Sequence, residues 1–106
     1  MTQSVNTMLP KLQAALEKQP IVKAWLFGSY SRGEETPDSD VDIVVEYDPN
    51  SKISLMTISR ITVALSAAIG KNVDLIEEGH LFPFAQESFE KDKILIYERD
   101  VRDNKI

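Results

Sequence analysis

Two aspartates one position apart, Asp40 and Asp42, open the apolar stretch Ser39-Asp40-Val41-Asp42-Ile43-Val44-Val45. On an extended strand, residues i and i+2 point to the same face, so this spacing presents two carboxylates side by side. Hard divalent cations such as magnesium take oxygen ligands of this kind, usually together with substrate phosphates. Ten residues separate this pair from Gly28-Ser29, which ends a second run of bulky side chains, Ile21 to Phe27. A Gly-Ser turn offers backbone N–H groups and a small hydroxyl, with no Cβ at Gly28 to hold a phosphate chain away. A phosphate cradle next to metal-binding carboxylates points to nucleotide chemistry.

The elements that must position these groups follow from pattern and punctuation. Thr7 is a candidate N-cap for a helix running to about Lys18, with Leu9, Leu12 and Leu16 on one face. Pro10 requires that helix to start close before it, and Gln19-Pro20 ends it. A strand spans Ile21 to Phe27, Tyr30 to Glu34 forms a short helix or turn, and Glu35 to Asp38 is a loop braced by Ser39. The second strand covers residues 40–47, with Val41, Ile43, Val45 and Tyr47 alternating with Asp40, Asp42, Val44 and Glu46. A helix from about Ser54 to Ile69 carries Ile58, Ile61, Leu65 and Ala68 at helical spacing and stops at Gly70. Asn72 to Ile76 is a third strand. Val73 and Leu75 share one face there, so Asp74 projects to the other, the side that Asp40 and Asp42 occupy. Pro83 starts a short helix ending near Lys91, Lys93 to Glu98 is a last strand, and Arg99 to Ile106 is a polar tail. The expected fold is α/β (α+β): a small mixed sheet of about four strands with helices packed mainly on one face, forming a single domain over residues 1–106.

These residues resemble the nucleotidyltransferase superfamily that includes DNA polymerase beta. Its signature is Gly-Ser, a spacer of about ten residues, then Asp-x-Asp, with a third acid on a later strand. Gly28, Ser29, Asp40 and Asp42 match in type and spacing, and Asp74 matches the third acid. The resemblance runs from Trp25 to about Tyr97 and fits best the small, stand-alone minimal nucleotidyltransferases. It implies transfer of a nucleoside monophosphate, AMP from ATP, to a hydroxyl on a partner. It further implies two magnesium ions, with manganese as an alternative, held by Asp40, Asp42 and Asp74. Ser29, the turn at Gly28 and Arg32 are the candidate contacts to the triphosphate. Members of this group are often antitoxins paired with HEPN-domain toxins, which implies a tyrosine of such a toxin as acceptor. A non-catalytic antitoxin that covers its toxin, and an antibiotic adenylyltransferase, are the alternative readings. The second usually carries an added helical region, and this chain stops soon after its last strand.

Bulk properties bound these readings. A chain of 106 residues with 42% hydrophobic and 27% charged residues has an ordinary globular composition. Having no cysteine, it has no disulfide framework or thiolate metal site, which fits a reducing cytoplasm. No segment has the apolar length of a membrane span. The net charge of −5 argues against long DNA or RNA as the main ligand, but not against a nucleoside triphosphate whose charge a metal neutralises. The single histidine, His80, reads as exposed. Trp25 and Phe27 read as packing residues, and Phe82, Phe84 and Phe89 as core edge or partner patch. Tyr30 is expected to border the site. The sequence leaves base preference and a homo-oligomer open.

Overall fold

The computed structural model describes residues 2–99; of the expected polar tail, residues 100–106 lie outside them. The elements run α1 (Gln3–Glu17), β1 (Ile21–Phe27), α2 (Ser29–Arg32), β2 (Val41–Tyr47), α3 (Leu55–Ile69), β3 (Val73–Glu77), α4 (Pro83–Asp92) and β4 (Ile94–Glu98). The strands form one mixed sheet in the order β3-β2-β1-β4. β1 is antiparallel to both β2 and β4, while β2 and β3 are parallel. The parallel pair needs a crossover, and α3 supplies it.

One face of the sheet carries the main core. Ala24 and Leu26 of β1, Val41, Ile43 and Val45 of β2, and Val73 of β3 pack with Ile61 and Leu65 of α3 and with Val5, Met8, Leu12 and Leu16 of α1. Those α1 residues recur at three- and four-residue spacing and lie on one stripe of the helix. Fully burying a side chain of this size stabilises the fold by about 1.5–3 kcal/mol. α3 begins at a capping box in which Ser54 and Thr57 satisfy each other's free backbone amides, and it stops at Gly70 in the left-handed conformation (φ 68°).

α1 departs from the sequence expectation. Its N-cap is Thr2, not Thr7, so Pro10 lies inside the helix. The Thr2 hydroxyl accepts from the Val5 amide at 3.3 Å and donates to Glu35 at 2.6 Å. Glu35 also accepts from Ser4, at 2.5 Å. The helix start is thus fixed by a loop residue more than thirty positions away, and burial of Val5 and Met8 outweighs the hydrogen bond that Pro10 cannot make.

The second face of the sheet is covered in part by α4, the exception to one-sided helix packing. Phe89 is fully buried and meets Trp25 and Phe27 edge-on, with ring centroids 5.9 Å and 5.6 Å away. Val44, the register partner of Trp25, is fully buried on this side too. Trp25 and Phe27 pack, as their positions suggested. Phe82 and Phe84 do not: they stack on each other at 5.7 Å in solvent, 71% and 82% exposed.

Candidate active site

The acidic positions gather where β1 ends and β2 and β3 begin. Asp42 and Asp74 are register partners of the parallel strands, and their carboxyl groups are close enough for the Asp74 charge to act on Asp42. Asp42 is half-buried and Asp74 is exposed. Burial, then the Asp74 charge and its hydrogen bond, then Asp40, push the Asp42 pKa up to about 6, and Arg32 offsets part of this. Asp40 stands exposed one residue before β2. It also lines an open cleft of about 750 Å³ with Ser39, Thr62, Ser66 and Lys71. The loop leading to it is braced as expected: the Thr36 amide donates to the Ser39 hydroxyl at 2.9 Å, and the Ser39 amide returns to the Thr36 carbonyl at 3.0 Å.

Gly28 links this cluster to α2. Its φ of 77° and ψ of −149° belong to a region that is nearly glycine-only. Space imposes the same choice, because a Cβ at this position would collide with Asp42 Oδ2. The turn backbone therefore lies directly against the carboxylate. The Gly28 carbonyl accepts from the Ser31 and Arg32 amides at 3.0 Å and 3.2 Å, and from the Ser31 hydroxyl at 2.8 Å. Ser29 sits in the first turn of α2, where the leading amides have no intrahelical acceptor. Among the described residues its hydroxyl makes no hydrogen bond.

Arg32 lies on the same side, close enough for its charge to reach Asp42. It donates from Nε to Glu34 at 3.0 Å, and its Nη1 is 3.6 Å from Asp92 of α4. The sequence reading missed Asp92. Nothing in a linear pattern links it to Arg32, and only the packing of α4 across the sheet brings the two together. Tyr30 is a correction. It is 2% exposed and belongs to the main core, so it does not border the site. His80 is exposed and lies 3.7 Å from Glu77, and Glu78 is exposed in the turn after β3, so neither joins the cluster.

Among the described residues, no three acidic, histidine or cysteine side chains converge tightly enough to enclose an ion. The close element is the Asp42–Asp74 pair. Its donor chemistry nonetheless fits a magnesium-type cation: the donors are all carboxylate oxygens, Asp40 adds charge nearby, and the burial and mutual repulsion that raise the Asp42 pKa are what a cation would offset.

Comparison with known proteins shows the family and the fold. The nucleotidyltransferase domain family model matches residues 10–98. A candidate protein adenylyltransferase of Methanocaldococcus jannaschii is 37% identical over 81 residues, covering 76% of this chain and 81% of its own. The solved structure of a candidate minimal nucleotidyltransferase superposes with a TM-score of 0.71 at 29% identity, covering 85% of this chain and 93% of its own. At 18% identity, a structure of a tri-AMPylated Shewanella oneidensis HEPN toxin in complex with its MNT antitoxin shares the fold, with a TM-score of 0.57 over 95% of this chain and 75% of the matched one. The chain belongs to the nucleotidyltransferase domain family, and its fold is that of a minimal nucleotidyltransferase.

Proposed function

We propose that this chain transfers AMP from ATP to a tyrosine hydroxyl of a HEPN-domain toxin and so acts as its antitoxin. The observation that carries the reading is the contact between the Gly28 turn and Asp42, which packs the glycine turn that opens α2 against the paired carboxylates of Asp42 and Asp74. The likeness to candidate protein adenylyltransferases, and to an antitoxin whose HEPN partner is AMPylated, supports AMP as the transferred group and a protein as the acceptor.

Asp40, Asp42 and Asp74 would hold magnesium. When bound, magnesium supplies charge neutralisation of the triphosphate and acidification of the acceptor hydroxyl. The chain's own groups do the positioning. The Ser29 hydroxyl and the first amides of α2 bind the phosphates that leave, and Arg32 adds a charged donor beside them. Asp74 is the exposed member of the pair, open to an incoming hydroxyl, and takes its proton. The tyrosine oxygen then bonds to the α-phosphorus, the bond from that phosphorus to the bridging oxygen breaks, and pyrophosphate departs. Most of the acceleration comes from alignment and charge placement, as in phosphoryl transfer generally.

The test is mass spectrometry of a cognate HEPN toxin after incubation with this chain, ATP and magnesium. Addition of AMP to a toxin tyrosine, lost in Asp74→Asn although that variant still binds the toxin, is the expected result. A toxin silenced without any mass change would overturn the enzymatic reading in favour of neutralisation by covering. Label from ATP appearing on a small molecule instead would indicate an antibiotic-type transferase.

A further inference from the structure

We infer that Asp92, at the C-terminal end of α4, is a positioning residue for the nucleotide: it holds Arg32 at the mouth of the acidic site, ready for the triphosphate. The inference rests on the reading above in which Arg32 meets phosphate.

Three observations carry it. The first is the way Arg32 is held. Glu34, in the loop after α2, takes its Nε in a hydrogen bond at 3.0 Å, and Asp92 of α4 forms an ion pair with Nη1 at 3.6 Å, so two carboxylates flank two of the three guanidinium nitrogens. Among the described residues Nη2 makes no hydrogen bond, which leaves donors for a ligand. The second is where Asp92 sits. It is the last residue of α4, where the helix dipole disfavours a carboxylate. Its side chain is nevertheless only 23% exposed, less than that of Arg32 at 38%. Arg32 is the positive charge that compensates it there. The third is that α4 does not need this pair to dock. Fully buried Phe89 already fastens the helix to Trp25 and Phe27. Among the described residues, Arg32–Asp92 is the one ionic link between α4 and the turn that starts at Gly28.

A half-exposed ion pair contributes little to stability. What it does contribute is order. A free arginine samples many rotamers and must give that freedom up on binding, whereas one already held by two carboxylates surrenders less. The expected effect of losing Asp92 is therefore on nucleotide affinity, not on turnover once ATP is bound.

The test measures binding of ATP with magnesium by titration calorimetry, without acceptor, on the whole chain. Arg32→Ala should weaken binding about tenfold, as for a lost charge-assisted contact. Asp92→Asn should weaken it roughly three- to tenfold through lost preorganisation, and Asp92→Glu should restore most of it. Combined with Arg32→Ala, Asp92→Asn should add no further loss, because the two act through one guanidinium. In transfer assays KM for ATP should rise while kcat holds. If Arg32→Ala weakens binding and Asp92→Asn leaves it unchanged, Asp92 is a bystander and the inference fails alone. If Asp92→Asn tightens binding, Asp92 is a competitor for Arg32, which also overturns it. If Arg32→Ala has no effect, the phosphate role of Arg32 fails and the inference fails with it. Melting curves for each variant separate misfolding from lost affinity, and the glutamate variant supplies the comparison if the asparagine one does not fold.

Discussion

Asp42 and Asp74 stand side by side on neighbouring parallel strands, one half-buried and one exposed, close enough for their charges to act on each other. Two carboxylates in that relationship cannot both ionise freely, and the buried one carries the penalty.

The penalty sets a pH dependence with a definite sign. Asp42 has a folded-state pKa of about 6 against an ordinary value of 3.8. Between those values the folded chain holds a proton that the unfolded chain has released. This group therefore stabilises the fold at low pH and loses that contribution as pH rises through about 6. With solvent screening at a half-buried site, the effect is about 1–2 kcal/mol. In chelator, Asp42→Asn should be the more stable protein at pH 7, and its advantage should vanish near pH 4. Urea denaturation of both proteins at several pH values checks this. The same variant should have no transferase activity.

Gly28→Ala is expected to damage both stability and function. The new methyl group would meet Asp42 Oδ2, and alanine resists a φ of 77°. Backbone strain of this kind costs about 1–3 kcal/mol. The melting temperature should fall and ATP binding should weaken together. A variant with wild-type affinity would mean that phosphate does not approach this turn.

Phe89→Ala tests how α4 is held. It removes a fully buried ring that meets both Trp25 and Phe27, at a cost of about 3–5 kcal/mol. Phe82→Ser with Phe84→Ser should shift stability by less than about 0.5 kcal/mol, since both rings stand in solvent. Thermal unfolding of the two variants side by side distinguishes the buried ring from the exposed pair.

Pro10→Ala should stabilise the chain. Pro10 is exposed in the interior of α1 and leaves the Asn6 carbonyl without its helical donor. Proline is about 3 kcal/mol worse than alanine in a helix interior; because α1 already accommodates it, the expected gain is about 1–2 kcal/mol. A lower melting temperature would show that the ring is doing packing work.

The sequence made the site more legible than its surroundings. Alternation at Val73-Asp74-Leu75 put the third acid on the correct side of the sheet, because strand parity is a local property. At Gly28 the sequence shows a position with no Cβ, but that the group packed into that space is Asp42 Oδ2 is seen only in the folded chain. What escaped depends on contacts distant in sequence. Thr2 starts α1 because Glu35 receives its hydroxyl, and no window around Thr7 contains that fact. Val44 reads as a position on the acidic face, yet α4 lies over that part of the sheet and Val44 is fully buried. Tyr30 adjoins Ser29 in the chain, but the short α2 turns it into the core. Asp92 reaches Arg32 only because α4 crosses the sheet.

The parallel pairing of β2 with β3 has a consequence for the order in which the chain matures. Gly28, Ser29 and Asp42 come together once β1 meets β2, an antiparallel pairing of near neighbours in sequence. Asp74 joins them through the pairing of β3 with β2, which spans the whole of α3 and is less local in sequence; non-local pairings slow folding. Without that pairing the turn and the first two acids would lack the third. Closure of the β2–β3 pair is thus the step that completes the acidic cluster, whereas β4, on the opposite edge, adds none of its acids.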